Sequence, residues 1–241
     1  MGPHAGIHLA TCIVDQTIAQ GDFDHLSVVL VSRPGEIPDR SAFLANASEA
    51  SPSGPILSVA QQLRDVGASL VGMPCNTAHA PPILSGVLAG LDPDITFLHL
   101  IEETARFCGE AAPGATRIGV LATTGTYATG LYQDALSQAG LTAIIPDPAI
   151  QRDVVQKALY DREFGIKSQS NPVTEDAIEL LAHATEHLIE GGAQAVILGC
   201  TEIPLAIQTR TFAGLPVVDS TIALARALIR ESDPARLKPW T

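Results

Sequence analysis

The stretch Leu70-Val71-Gly72-Met73-Pro74-Cys75-Asn76-Thr77-Ala78-His79 joins a short apolar run to a cysteine followed by small polar residues. An apolar run of that length, closed by Gly and Pro, predicts a buried strand that opens into a helix. A second stretch, Ala195-Val196-Ile197-Leu198-Gly199-Cys200-Thr201-Glu202, repeats the plan. Two copies predict two halves, each delivering one sulfur to the carboxyl end of a parallel strand, where open α/β sheets bind ligands. The first free N–H groups of a following helix favour anions there. A thiol in such a place falls below its ordinary pKa of about 8.5 and is partly thiolate near neutral pH. Cys75 and Cys200 are therefore candidate proton-transfer groups, one as thiolate base and one as thiol acid, able to lift a proton from one face of a carbon and return it to the other. Asn76, Thr77 and Thr201 supply short polar groups that either cap the helix starts or hold a carboxylate.

Composition narrows the remaining choices. The 241 residues fit one large α/β domain or two domains of ordinary size. Hydrophobic residues make up 46% but aromatics only 4%, so the core rests on Ala, Val, Ile and Leu, as strands covered by helices on both faces require. A net charge of -12 argues against a nucleic-acid partner, whose phosphates need clustered Lys and Arg. It also means that an acidic substrate needs a locally basic pocket. Cys12, Cys75, Cys108 and Cys200 lack metal-site or disulfide-rich spacing and are expected as free thiols in a reducing compartment. Cys12 and Cys108 fall inside predicted helices and read as small buried apolar residues. No signal peptide and no membrane-spanning run is legible, which gives a cytoplasmic expectation.

Along the chain, Gly6 to Ala19 predicts a helix and Leu26 to Ser32 a strand, followed by a polar loop from Arg33 to about Pro52 that contains Arg40. On its own, Arg40 reads as a solvated arginine closing a turn with Asp39. A helix from Pro55 to Val66, the Cys75 segment, a strand near Ile95 to Leu98 and a helix from Glu102 to Ala111 come next. Pro113-Gly114 marks a predicted boundary between lobes 1–113 and 114–214. The strand Arg117 to Leu121 leads into Ala122-Thr123-Thr124-Gly125-Thr126, a turn at a helix start that is either an ordinary cap or an anion site. Its glycine spacing is neither a dinucleotide fingerprint nor a Walker loop. A strand from Leu141 to Ile145, a helix from Ile150 to Tyr160, a polar segment carrying Lys167, a helix from Thr174 to Glu190, a strand from Leu215 to Val218 and a final helix to Glu231 complete the chain. His183-Ala184-Thr185-Glu186-His187 matches the H-x-x-E-H pattern of some metalloproteases, but no third-ligand motif follows, and no metal is expected.

Met73-Pro74-Cys75-Asn76-Thr77-Ala78-His79 and Gly199-Cys200-Thr201-Glu202-Ile203-Pro204-Leu205 resemble the signature segments of the cofactor-independent aspartate/glutamate racemase family, and His79 and Glu202 resemble its aspartate racemase branch. Met1-Gly2-Pro3, Ile37-Pro38-Asp39-Arg40, the run from Gly119 to Gly130, Phe164-Gly165-Ile166-Lys167 and Val218-Asp219-Ser220 follow in the family's order. The resemblance implies two pseudo-symmetric α/β lobes with mostly parallel sheets flanked by helices, the first completed by the C-terminal helix within residues 215–241, and an active site in the cleft between them. It implies a racemase of aspartate, or of glutamate, that uses neither pyridoxal phosphate nor metal, and a homodimer. Cys75 and Cys200 would exchange roles with substrate handedness. Asn76, Thr77 and Thr201 would hold the α-carboxylate, Arg40 and Lys167 the side-chain carboxylate, and Thr124 and Thr126 would be further substrate contacts.

One departure stands beside this match. The family carries a complete strand ahead of the Met-Gly-Pro segment, and without it the flanking backbone groups are expected to be unpaired and the core open. An inactive binding protein is therefore one alternative. A hydantoin racemase, decarboxylase or cis-trans isomerase of the same superfamily is the other, although paired cysteines disfavour a single-cysteine decarboxylase and Arg40 with Lys167 favours a dicarboxylic substrate.

Overall fold

Every residue of the strand Ala195–Gly199 is buried, because its unbroken apolar run must be covered on both faces. A computed structural model describes residues 1–46 and 49–240; residues 47 and 48 of the expected loop, and residue 241, lie outside the described residues. The strands, in chain order, are β1 (Leu70–Gly72), β2 (Thr96–Leu98), β3 (Arg117–Ala122), β4 (Thr142–Ile144), β5 (Ala195–Gly199), β6 (Thr211–Phe212) and β7 (Leu215–Asp219). The α-helices used below are α1 (Pro3–Gln16), α2 (Arg40–Ala45), α3 (Ser53–Asp65), α4 (Pro81–Gly90) and α5 (Leu100–Ala111), then α6 (Thr124–Ala128), α7 (Leu131–Gln138), α8 (Pro148–Ile150), α9 (Gln156–Tyr160), α10 (Glu175–Glu190) and α11 (Ser220–Ser232). The fold is α/β, with sheets that are mostly parallel and flanked by helices.

Two compact units divide the chain, one of residues 1–103 with 221–241 and one of residues 104–220. These divisions fall at 103/104 and 220/221, where the sequence reading placed them at 113/114 and 214/215. The differences have physical reasons. Pro113-Gly114 ends a helix that starts at Leu100, and β7 is hydrogen-bonded to β5 in the second unit's sheet.

In the second unit the sheet order is β4-β3-β5-β7-β6, parallel except for the last pair. Helix α10 packs on β3 and on α9, and its N-cap Thr174 accepts a hydrogen bond from the Ala177 amide. The helix expected from Ile150 to Tyr160 starts at Pro148 and contains a π turn over Gln151–Val155 between α8 and α9.

Among the described residues of the first unit, β1 pairs in parallel with β2 alone. Residues 26–32, expected as a strand, form no strand and join neither sheet, because a strand also needs a neighbour to pair with. Val28, Val29 and Leu30 in this segment are about half exposed. Together with β1, α1 and α11 they line an apolar groove of about 400 Å³, to which Leu9, Ile13, Val71 and Ile229 also contribute. The loop expected from Arg33 to Pro52 contains α2, which Asp39 caps by accepting from the Ala42 amide at 2.8 Å. The C-terminal tail is tied to the end of α1. Arg226 donates to Gln16 Oε1 at 2.9 Å and to the Lys238 carbonyl at 3.0 Å, and its guanidinium lies 5.4 Å from the centre of the Trp240 ring. Among the described residues no helix is long and apolar enough to cross a membrane.

Candidate active site

In the first unit, β1 runs into Met73-Pro74-Cys75, where the Cys75 amide donates back to the Met73 carbonyl at 2.8 Å. Pro74 suits the centre of this three-residue turn because its ring fixes φ. Cys75 is left extended at the mouth of a 3-10 turn, Asn76–His79, and belongs to a buried cluster that includes Ile37, Met73, Ala78 and Ile83. The residues of the motif from Cys75 to His79 are all buried. Helix α2, which begins at Arg40, packs on the same 3-10 turn, so the Arg40 and Cys75 motifs are brought together. The Arg40 side chain is buried and donates to the Pro38 carbonyl at 3.0 Å.

His79 organises this half. Its Nδ1 lies 2.9 Å from the Cys75 carbonyl, and its Nε2 accepts the Leu100 amide at 3.2 Å. A carbonyl only accepts and an amide only donates, so the ring is neutral with its proton on Nδ1. Burial, reinforced by His99 edge-on at 4.8 Å, pushes its pKa down to about 3. The turn after Cys75 is thereby pinned to the start of α5.

In the second unit, Cys200 follows the last residue of β5, and Ala122 at the end of β3 lies opposite Gly199. A Cβ at Gly199 would sit 2.9 Å from the Tyr132 ring and 3.0 Å from the Leu121 carbonyl, so only glycine lets the strands approach this closely ahead of the cysteine. The Cys200 thiol donates to Glu202 Oε2 at 3.0 Å, and Lys167 Nζ lies 3.1 Å from that same oxygen. Burial, and then the Glu202 charge, push the Cys200 thiol well up, while Lys167 opposes them. For Glu202 burial acts to raise the pKa, but the Lys167 ammonium and the hydrogen bonds from Cys200 and Lys167 outweigh it, and the carboxyl stays below its ordinary range. Gly165 sets the path to Lys167: its Cα lies so close to the Asp161 backbone that a Cβ would meet it at 2.5 Å. The chain then folds back, and the Lys167 amide donates to the Leu159 carbonyl.

The threonine turn is also in place. Thr123 caps α6, accepting from the Thr126 amide at 3.3 Å, and its hydroxyl lies 3.1 Å from that of Thr126. The Thr124 amide and hydroxyl both donate to Gln156 Oε1, at 3.0 and 3.1 Å. Gln151, buried, donates from Nε2 to the Ala122 carbonyl at 3.1 Å and to Thr124 Oγ1 at 3.3 Å. Thr201 is buried beside Cys200. Sequence reasoning missed Gln151 and Gln156; the Pro148 helix start was the one signal, and it does not reveal a π turn. The H-x-x-E-H segment is drawn elsewhere: His187 Nε2 accepts the Asp147 amide at 3.3 Å. Among the described residues no group of three or more His, Cys, Asp or Glu side chains gathers in a metal-holding arrangement. All four cysteines are free, and Cys108, whose thiol donates to the Thr104 carbonyl, is pushed up to about 12 by burial.

The arrangement offers, in each unit, a buried thiol at the carboxyl end of a parallel strand, one of them bonded to a carboxylate. Over 98% of its length the chain resembles the structure of Picrophilus torridus aspartate racemase, at 30% identity, a TM-score of 0.76 and 92% coverage of that chain. It is 26% identical over 176 residues to the broad specificity amino-acid racemase RacX of Bacillus subtilis, which covers 72% of this chain and 69% of that one. It is 33% identical over 93 residues to an uncharacterised protein of Pectobacterium carotovorum; that match takes in 39% of this chain and 57% of the relative's length. The model of the family described as Asp/Glu/Hydantoin racemase matches residues 1–228. With the family model spanning nearly all of it, the chain belongs to the Asp/Glu/Hydantoin racemase family.

Proposed function

We propose that the chain is a two-cysteine amino-acid racemase that interconverts L- and D-aspartate, with glutamate the nearest alternative substrate, and that neither pyridoxal phosphate nor metal enters the reaction. The observation that carries this reading is the Cys200 thiol bonded to Glu202 at 3.0 Å at the end of a parallel strand, in a chain that offers a second buried thiol, Cys75, at the end of another. Glu202 takes the proton of the Cys200 thiol, and the resulting thiolate lifts the proton from Cα. The Cys75 thiol then protonates the opposite face. Loss of the Glu202 proton to solvent, and gain of one by the Cys75 thiolate, reset the pair. In the other direction Cys75 is the base and the Cys200 thiol the acid. Asn76, Thr77 and Thr201 orient the α-carboxylate, Arg40 and Lys167 neutralise the side-chain carboxylate, and Thr124 and Thr126 line the same site. Resemblance to the family supports a homodimer, and four free cysteines support a reducing, cytoplasmic location.

The test is incubation with L-aspartate in heavy water, following optical inversion and deuterium at Cα together. The parent is expected to do both. Cys75→Ser and Cys200→Ser are each expected to lose inversion by roughly 10²–10⁴-fold, the range for removal of a positioned acid or base. Binding of aspartate with no exchange at Cα would replace this reading with that of a binding protein, which the raised pKa of the buried Cys200 thiol would favour.

A further inference from the structure

The carboxylate that touches Cys200 serves two donors at once. Glu202 Oε2 accepts the Cys200 thiol at 3.0 Å and faces the Lys167 ammonium at 3.1 Å. An ammonium on that oxygen withdraws the electron density a base needs, so the dyad is at rest while Lys167 stays there. Lys167 is able to leave. Its backbone is held by the Gly165 turn, but its side chain is a flexible stem with 21% exposure, against 8% for Glu202. The Tyr160 ring, 5.1 Å from Nζ, offers the cation a second neighbour.

We propose that Lys167 is a substrate-operated latch: the distal carboxylate of an acidic amino acid draws the ammonium away from Glu202, and only then does Glu202 take the Cys200 proton. This rests on the racemase reading above and adds to it how an acidic side chain is selected. Binding energy from a part of the substrate that does not react is used to switch on the base, so a neutral amino acid that fits the site still leaves the thiol protonated. The proton balance is the one already given, with Lys167 charged throughout and only changing its anionic partner.

The latch differs from plain carboxylate binding in two measurements. In the first, the parent protein is given glycine in heavy water with and without acetate, so that the acidic side chain is supplied as a separate piece. Acetate is expected to speed deuterium exchange at the glycine Cα by at least about fivefold, a small part of what a positioned base contributes, and to do so saturably. In the second, Lys167→Met, checked for fold by circular dichroism, is expected to exchange aspartate more slowly than the parent but asparagine and glycine faster, by about tenfold, with no response to acetate. Plain carboxylate binding leaves asparagine and glycine unchanged in this variant. Aspartate exchange in the parent without any effect of acetate on glycine overturns the latch alone. No exchange of any amino acid by the parent overturns the racemase reading and the latch with it.

Discussion

A buried imidazole with a carbonyl on one nitrogen and an amide on the other has a single workable charge state, and His79 is so held. Its folded pKa, about 3, lies below the ordinary 6.5. The unfolded chain thus binds a proton first, and the sign follows: the neutral ring's contribution is complete above pH 6.5 and is lost as pH falls toward 3. Between pH 6.5 and about 4.5, before most carboxylates titrate, the parent is expected to lose about 2 to 3 kcal/mol more than His79→Gln, as read from urea unfolding at each pH. Parallel stability curves for the two proteins would refute the assignment. His79 stands in the sequence next to the cysteine motif, but its hold on Leu100, 21 residues away, is a tertiary fact that no local pattern encodes. Cys75 and Cys200 were legible because strand, glycine or proline, and cysteine fall within a few residues of one another. The bond from Cys200 to Glu202 was legible only as a neighbouring letter, since rotamers decide whether side chains two apart meet. Gln151 and Gln156 were not legible at all: a π turn shifts which face of the helix meets the threonine turn.

Among the elements, the segment at 26–32 shows where composition stops being informative. Its β-branched residues favour an extended backbone, but the segment forms no strand, since pairing depends on a neighbour that composition does not reveal. A β-branched segment outside any sheet, with Val28, Val29 and Leu30 exposed, invites pairing with other chains. Val29, with 51% exposure, can be replaced with little effect on packing. Val29→Lys is expected to lower light scattering on gentle heating, while changing unfolding free energy by no more than about 0.5 kcal/mol. Equal scattering from parent and variant would show that this segment does not drive association. Other elements escaped for reasons of length. Helix α2 has six residues, too few to display a period, and the Asp39 cap was its one signal. The β6–β7 hairpin turns through Ala213 at φ 47°, a left-handed position that the residue type does not advertise.

The two units differ in how much sheet they contain. Among the described residues, the first has two parallel strands of three residues each beside an open apolar groove, and the second has five strands, with β5 buried throughout and β3 buried except at Arg117. Two-stranded sheets are weakly stable by themselves, so the first unit is expected to lose its structure at a lower urea concentration. The aromatic residues make this measurable without any label. Trp240, the sole tryptophan, rests on Arg226 in the first unit, whereas Tyr127, Tyr132 and Tyr160 all belong to the second. Indole emission and tyrosine near-ultraviolet dichroism are therefore separate optical channels, one for each part of the molecule. A titration followed in both reports whether the chain melts in two stages, with the indole channel moving first, or as a single cooperative body.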